Sequence, residues 1–273
     1  MLMNKAGPSR ARARQKLIAL TALFFLSLWN AIAALQLTAE ETRRIGKKIW
    51  QNECNGTLSG LTSWNAGENF ASLGIGHFIW YPENARGPFD ESFPKLIDFI
   101  TARGVTLPEV ARAKRSCPWN SRAEFERASQ TPRMKELRQF LASTVHLQAE
   151  FLVQRLEQAL PKMLASAPTA GRPQIQAQFE RVLNSPGGAY ALVDYVNFKG
   201  EGVLVTERYE GQGWGLLQVL EGMREINGAN AVKEFADSAK KTLATRVRNS
   251  PPERHEERWL AGWLSRINTY AKS

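Results

Sequence analysis

The fold is decided by a short stretch near the front of the chain, GLTSWNAGENFASLGIGHF at residues 60–78. This stretch is rich in Gly, Asn, Ser and aromatic residues and contains few helix formers. Asn65-Ala66-Gly67-Glu68 has the composition of a turn. It separates two segments of strand-like composition, 61–64 and 69–75, so the stretch predicts a β-hairpin.

Helical patterns dominate both sides of this hairpin. Before it, Thr38 and Glu41 form a capping box, and Asn55-Gly56 ends the helix. After it, we predict helices over 93–103, 122–128, 134–160, 175–183, 189–198, 215–226, 229–244 and 251–270, with a loop at 161–173. A second capping box, Ser250 to Glu253, opens the last of them. The fold class is therefore α+β, mostly α.

Residues 1–34 have the three-part layout of a secretory signal peptide. A basic stretch through Lys16 precedes an apolar run at 17–29, and Ala31-Ile32-Ala33 has the A-x-A pattern of a cleavage site. The run is shorter than the ~20 residues that span a bilayer, which disfavours a retained anchor. We therefore expect a periplasmic or secreted protein with no stable membrane insertion after cleavage.

The charge balance points to an anionic polymer as partner. The net charge is +10 and falls to +5 without residues 1–34. A mildly basic body suits a cell-wall surface, and no nucleic-acid-binding motif stands out, so nucleic acid is not expected as a partner. The three histidines lack metal-ligand spacing, so we expect neither a metal nor a cofactor. Cys54 and Cys117 are either joined in a disulfide, which is plausible in an exported protein, or remain two reduced thiols.

Glu53 is the first candidate for chemistry. It shares one helix face with Ile45 and Ile49, and it lies at the helix C-terminus. Apolar burial and the negative end of the helix dipole both disfavour a charged carboxylate, which is how a glutamate becomes a general acid. The alternative is a solvated carboxylate at a frayed helix end.

The segment FASLGIGHF at 70–78 resembles the Thr-Ile-Gly-Tyr/Ile-Gly-His strand of phage-type lysozymes. In that family a catalytic Glu ends the first helix, and the following hairpin carries an Asp and a Thr. Here Glu53 takes the Glu position and Ser72 the Thr position, with a hydroxyl to orient water. Ala66 stands at the Asp position. Either Glu68 has the second catalytic role, or one carboxylate suffices, as in goose-type lysozymes and lytic transglycosylases.

Further along the chain, ALVDYVNFKGEG at 191–202 is similar to the buried core helix of the same family, and segments 215–220 and 249–259 are similar to its next helix and its closing segment. Four residues are candidate substrate contacts: Trp64, Asn65, His77 and Gln218. Trp64 is alternatively a packing residue, and His77 alternatively orders the turn after the strand.

The resemblance implies a lysozyme-like catalytic domain at 35–273, with a hairpin lobe at about 56–81 and a helical lobe at about 93–273. It implies a peptidoglycan hydrolase that cleaves the β-1,4 bond between N-acetylmuramic acid and N-acetylglucosamine, with Glu53 as general acid. Two alternatives stay open: a lytic transglycosylase, and a catalytically silent peptidoglycan-binding protein on the same scaffold.

Overall fold

The computed structural model describes residue 35 and residues 37–272, with gaps at 88, 113–115 and 225–229. The signal peptide expected at residues 1–34 lies outside the described residues. The chain from Leu37 onward belongs to one compact unit.

The front of the fold has the predicted helix and hairpin. Helix α1 spans Ala39–Cys54, and the capping box between Thr38 and Glu41 is present. It ends because Asn55 adopts a left-handed backbone with φ 52°. Strand β1 (Thr62–Ser63) pairs antiparallel with β2 (Ala71–Leu73). The predicted hairpin is therefore confirmed, with shorter strands than the composition indicated.

A third strand, which the sequence analysis missed, completes the sheet. Strand β3 (Phe78–Trp80) pairs antiparallel with β2 in the register Ser72 opposite Ile79. The chain reverses between β2 and β3 at Gly74, where φ is 70°. Because cross-strand partners share a face, Ser72 lies on the same face of the sheet as Ile79.

The rest of the chain is mostly helical. In chain order the helices are α2 (Phe93–Thr101), α3 (Glu109–Arg112), α4 (Arg122–Ala128), α5 (Pro132–Ser143), α6 (Val145–Ser166), α7 (Arg172–Leu183), α8 (Gly188–Lys199), α9 (Leu216–Glu221), α10 (Ala231–Asn249) and α11 (Glu257–Ile267). A two-stranded hairpin, β4 (Arg208–Tyr209) with β5 (Gln212–Gly213), lies between α8 and α9. The expected class, α+β and mostly α, is confirmed.

The prediction of a loop at 161–173 is wrong for residues 161–166, which are helical. Helix α6 continues through Pro161 to Ser166, and helix α7 begins at Arg172. A proline inside a helix costs about 3 kcal/mol. Here the apolar face continues past it, because Ala159 and Met163 are fully buried, and burial of that face offsets the cost.

Two predicted helices are interrupted. The predicted helix at 134–160 breaks at Thr144, whose φ of −105° and ψ of 15° separate α5 from α6. The last helix begins at Glu257 instead of 251, because a short turn at Pro252–Arg254 ends in a left-handed His255. The capping box predicted at Ser250 does not form: the Ser250 hydroxyl donates to the Val247 carbonyl.

Gln148 joins the sheet to the helices. It is fully buried in α6, where its Oε1 accepts from the Ile75 N–H at 2.9 Å and its Nε2 donates to the Leu141 carbonyl at 2.6 Å. A Cβ on Gly74 would lie 2.4 Å from that Oε1, so the turn approaches the amide too closely for any side chain. Gln148 thereby fixes the turn that carries His77.

We expect Gln148→Leu to lower the free energy of unfolding by about 2–4 kcal/mol, because it leaves two buried backbone groups without their partner. Urea denaturation measures this loss. Gln174→Leu is the matched control, since Gln174 is exposed on α7, and it should change stability by less than about 0.5 kcal/mol. Equal losses in the two variants would contradict the role of Gln148.

Candidate functional site

Glu53 is the next-to-last residue of α1, and side chains from three other parts of the chain surround it. Its Oε1 lies 2.7 Å from Arg266 Nη2 and accepts from Asn197 Nδ2 at 3.3 Å. Its Oε2 lies 3.6 Å from His77 Nδ1. The Glu53 side chain is 15% exposed. The candidate acid is therefore half-buried among a cation, an amide and an imidazole, and not in the apolar surroundings that the sequence analysis expected.

Arg266 is held in place by a second carboxylate. Asp194 is fully buried in α8 and accepts from Arg266 Nε and Nη2, both at 2.8 Å, and from the Tyr270 hydroxyl at 2.6 Å. Burial opposes the charge on Arg266, but Asp194 and Glu53 outweigh it and hold the pKa of Arg266 well above its usual value. Arg266 is therefore a permanent cation between two carboxylates.

His77 orders the turn after the strand, as one of its two predicted roles requires, and its ring also contacts Glu53. Its backbone, with φ 48°, donates to the Gly74 carbonyl and closes the turn between β2 and β3. Its ring lies between Glu53 and the thiol of Cys54, with Nε2 3.8 Å from that sulfur. Burial lowers the pKa of His77, although Glu53 partly opposes the shift. We therefore expect a neutral imidazole at neutral pH.

Asn197 leaves one polar atom without a partner. Its Nδ2 donates to Glu53, and its buried Oδ1 has no hydrogen-bond partner among the described residues. If the Asn197 amide were rotated by 180°, its nitrogen would take the place of the oxygen and would be the atom without a partner. Buried polar atoms are normally hydrogen-bonded, so a bound group with a suitable partner atom is the physical expectation here.

A cleft of about 1010 Å³ opens next to these residues. One wall is α6, the second is the end of α8 with the loop after it, and the third is β3 with the start of α2. His77 and Asn197 line the cleft, and both contact Glu53. Its volume is at the upper end of the range for small-molecule sites, which suits an extended ligand.

Glu68, Asn65 and Trp64 do not line this cleft, and neither do Glu53 and Arg266. Glu53 adjoins the cleft through its contacts with His77 and Asn197, which do line it. The Glu68 carboxylate accepts from Asn65 Nδ2 at 3.0 Å within the turn, and burial raises the pKa of Glu68 despite that hydrogen bond. Trp64 is buried, donates from Nε1 to the Glu68 carbonyl and packs against Phe125. Trp64 therefore acts in packing.

Ser72 and Gln218 also lie outside the cleft lining. Ser72 is 3% exposed, but it shares a face of the sheet with Ile79, which does line the cleft. Both amide atoms of Gln218 bond to the backbone: Nε2 donates to the Gly202 carbonyl, and Oε1 accepts from the Gly215 N–H. Gln218 thus holds the loop after α8 against the start of α9.

The sequence analysis missed several residues that the fold brings to this site: Asp194, Asn197 and Arg266 around Glu53, and Arg155, Lys199, Glu201 and Glu207 in the cleft. Asp194 had a usable signal, since a lone acid in the apolar helix segment at 190–196 must find a buried partner. The sequence contains no such signal for Arg266, because its partners are distant along the chain and only the packing of α11 brings it to Glu53.

The disulfide interpretation is wrong. Cys54 and Cys117 are both free and buried. Burial raises the pKa of each thiol to about 12, so neither is a reactive thiolate near neutral pH. Cys54 points at the Gly74 carbonyl, whereas the Cys117 backbone pairs with Tyr81 at the end of β3.

Within the described part of the chain, no group of three or more His, Cys, Asp or Glu side chains is arranged to hold a metal ion. No helix among these same residues is both long enough and apolar enough to cross a bilayer.

No family model, no curated protein and no solved structure matches this chain. The resemblance to phage-type lysozymes therefore depends on the motif residues alone. Function has to be argued from the chemistry of the site, since a fold by itself does not determine an activity.

We expect acidification from pH 7.5 to 5 to destabilise the parent protein relative to His77→Asn. The folded protein lowers the pKa of His77, so below about pH 6.5 the unfolded chain binds a proton that the folded chain does not, and stability falls with pH. Asn tolerates the left-handed backbone at this position. Thermal melting of both proteins across this pH range measures the difference.

His255→Asn is the matched control, because His255 has the same φ of 48° on the exposed surface. It reports the backbone effect of the exchange together with the loss of an exposed contact to Glu257, which contributes little to stability. If the parent instead gains stability relative to His77→Asn on acidification, the ion pair between His77 and Glu53 dominates over burial, and the assignment of a neutral imidazole is wrong.

We expect Asp194→Asn to lower the free energy of unfolding by about 3–5 kcal/mol, since it removes the buried counter-charge of Arg266. Asp237→Asn is the control, because Asp237 pairs with Lys233 on the surface of α10 and should cost less than about 1 kcal/mol. Urea denaturation compares the two. A loss of similar size in both would show that the buried pair contributes no more than a surface pair.

Proposed function

We propose that this protein is a peptidoglycan hydrolase of the muramidase type, with Glu53 as the general acid. The observation that carries the proposal is the position of the Glu53 carboxyl: it contacts His77 and Asn197, and both line the cleft. The lysozyme-like fold and the export of the protein belong to the same proposal. They are supported by the motif around His77 and by the signal-peptide pattern at residues 1–34.

The proposed reaction needs one proton donor and one water. Glu53 gives its proton to the oxygen between the two sugars, the bond from that oxygen to the anomeric carbon breaks, and a sugar cation forms. Water adds to the cation, and its proton returns to the Glu53 carboxylate. Between these two steps Glu53 is an anion 2.7 Å from Arg266, which stabilises it by charge.

Asn197 and Ser72 are the polar groups proposed to orient the reactants. Asn197 lines the cleft, and its Nδ2 donates to Glu53 Oε1, so it orients the carboxyl group of the acid. Ser72 keeps the role of orienting water that the resemblance implies, because it lies on the face of the sheet that carries Ile79 to the cleft.

The geometry favours the alternative with a single carboxylate over a catalytic role for Glu68. Glu68 is hydrogen-bonded inside its own turn, and the residues that contact Glu53 are a histidine, an asparagine and an arginine. Single-acid chemistry is compatible with a lytic transglycosylase as well, in which the 6-hydroxyl of the sugar replaces water. Only the products distinguish these two activities.

The test is Glu53→Gln on purified peptidoglycan. Gln keeps the size of the side chain but cannot donate the titrating proton, so we expect the release of muropeptides to fall by about 10²–10⁴-fold. Mass spectrometry of the products of the parent separates the two activities: reducing ends indicate a hydrolase and 1,6-anhydro ends a transglycosylase. Retained cleavage by Glu53→Gln would end the proposal.

Glu68→Gln is the matched comparison, since it makes the same chemical change in the hairpin turn. We expect cleavage to be essentially unchanged, and a loss of about tenfold or more would restore Glu68 as the second carboxylate. If the parent itself binds peptidoglycan without cleaving it, the silent-scaffold alternative replaces the enzyme.

A further inference from the structure

The walls of the cleft carry more positive than negative charge. Its cations are Lys95, Arg155, Lys162, Lys199 and Arg246, and its acids are Asp90, Glu201 and Glu207. Three of these cations have carboxylate partners at ion-pair distance, in the pairs Lys95–Asp90 at 2.6 Å, Lys162–Glu201 at 3.0 Å and Arg246–Glu256 at 2.7 Å. Arg155 and Lys199 are the remaining two.

Arg155 and Lys199 are half-buried cations without a counter-ion. Among the described residues, no carboxylate lies within ion-pair distance of either, and neither donates a hydrogen bond to one of them. Burial lowers the pKa of Arg155, and Glu201 and Asp90 oppose this shift from beyond ion-pair distance. Burial also lowers the pKa of Lys199 well below its usual value; Arg246 and Arg266 add to that shift, and Glu256 and Glu53 oppose it. A cation partly removed from water without a carboxylate in direct contact is costly.

The ammonium group of Lys199 is also held in position. Its Nζ lies 3.5 Å from the ring centroid of Trp263 and 4.0 Å from that of Phe198. Cation–π contacts hold the amine over the rings while its three N–H donors stay available to an acceptor. Lys199 therefore presents a positioned, unpaired positive charge to the cleft.

The acid that remains in the cleft does not cancel this charge. Glu207 has no cation within ion-pair distance among the described residues. Burial raises the pKa of Glu207, and neighbouring Glu201 raises it further. Even with Glu207 counted as a full negative charge, the five Lys and Arg side chains of the cleft lining outnumber its three Asp and Glu side chains.

We propose that Lys199 and Arg155 form a subsite that binds a carboxylate on the peptide stem of the glycan strand. The inference rests on the proposed function, because it assigns the ligand to the same cleft that Glu53 borders. In a stem-bearing glycan strand the lactyl carboxyl of each N-acetylmuramic acid is bound in an amide, so the sugars carry no charge. The carboxylates of such a strand are on its peptide stems. A carboxylate in the cleft would accept hydrogen bonds from both cations and supply the missing counter-charge.

The experiment measures binding separately from cleavage. Calorimetric titration of the full-length Glu53→Gln protein compares the disaccharide N-acetylglucosaminyl-N-acetylmuramic acid, with its lactyl carboxyl amidated, to the same disaccharide with a tetrapeptide stem. We expect the stem to tighten binding by about tenfold or more, as a charge-assisted contact does, and the gain to shrink at high salt. Equal binding of the two ligands, or binding of neither, would overturn the subsite.

Variants assign the effect to the two cations. Lys199→Met and Arg155→Met, each added to Glu53→Gln, should remove most of the tenfold gain and leave binding of the bare disaccharide unchanged, whereas Lys199→Arg should retain it. Lys241→Met removes the same charge from an exposed position on α10 outside the cleft lining, and it should change neither affinity. A gain that survives both Met variants overturns the proposal.

Sodium acetate and citrate serve as competitors, because they carry the same group without a glycan. If they displace the stem-bearing ligand at micromolar concentration, the subsite takes a free acid and the assignment to a peptide stem is wrong. Failure of the proposed function is a separate outcome. If the parent protein binds the stem-bearing ligand more tightly but cleaves no peptidoglycan, only the proposed hydrolase activity is wrong. If it cleaves peptidoglycan but binds both ligands equally, only the proposed subsite is wrong.

Discussion

The bridge formed by Arg266 between Asp194 and Glu53 is the interaction on which the rest of this site depends. It joins the first helix of the described chain to α8 and to the last helix through one guanidinium. Removal of Arg266 would leave the buried Asp194 without its cation, which costs several kcal/mol. The position of the candidate acid is thus coupled to the docking of the C-terminal helix.

The end of α8 brings the charged groups of the cleft together. Within a few residues it supplies Asn197 to the acid, Phe198 to the face of Arg266 and Lys199 to the cleft. The loop that follows can turn away sharply because Gly202 has φ 81° and a Cβ there would lie 2.2 Å from Gln218. The two cations themselves are placed by helices, because Lys199 ends α8 and Arg155 lies in α6.

Local patterns explain what could be predicted and what could not. The capping box at Thr38, the stop at Asn55 and the turn between β1 and β2 involve residues that are close in sequence, so composition and spacing were enough. Pro161 misled the prediction because helix α6 is stabilised there by burial against other elements. The strand β3 was missed because Phe78-Ile79-Trp80 is apolar throughout and shows no alternation of polar and apolar residues.

The sequence by itself determined the fold class, the helix end that carries Glu53 and the turn that carries His77, because each depends on backbone preferences acting over a few residues. Only the tertiary structure decided which groups surround that acid. Arg266, Asn197 and Asp194 reach it from the far end of the chain, and the hydroxyl-bearing and acidic residues of the hairpin turn do not contact it. Electrostatic partners act through space, so their identity follows from how the helices pack and not from spacing along the chain.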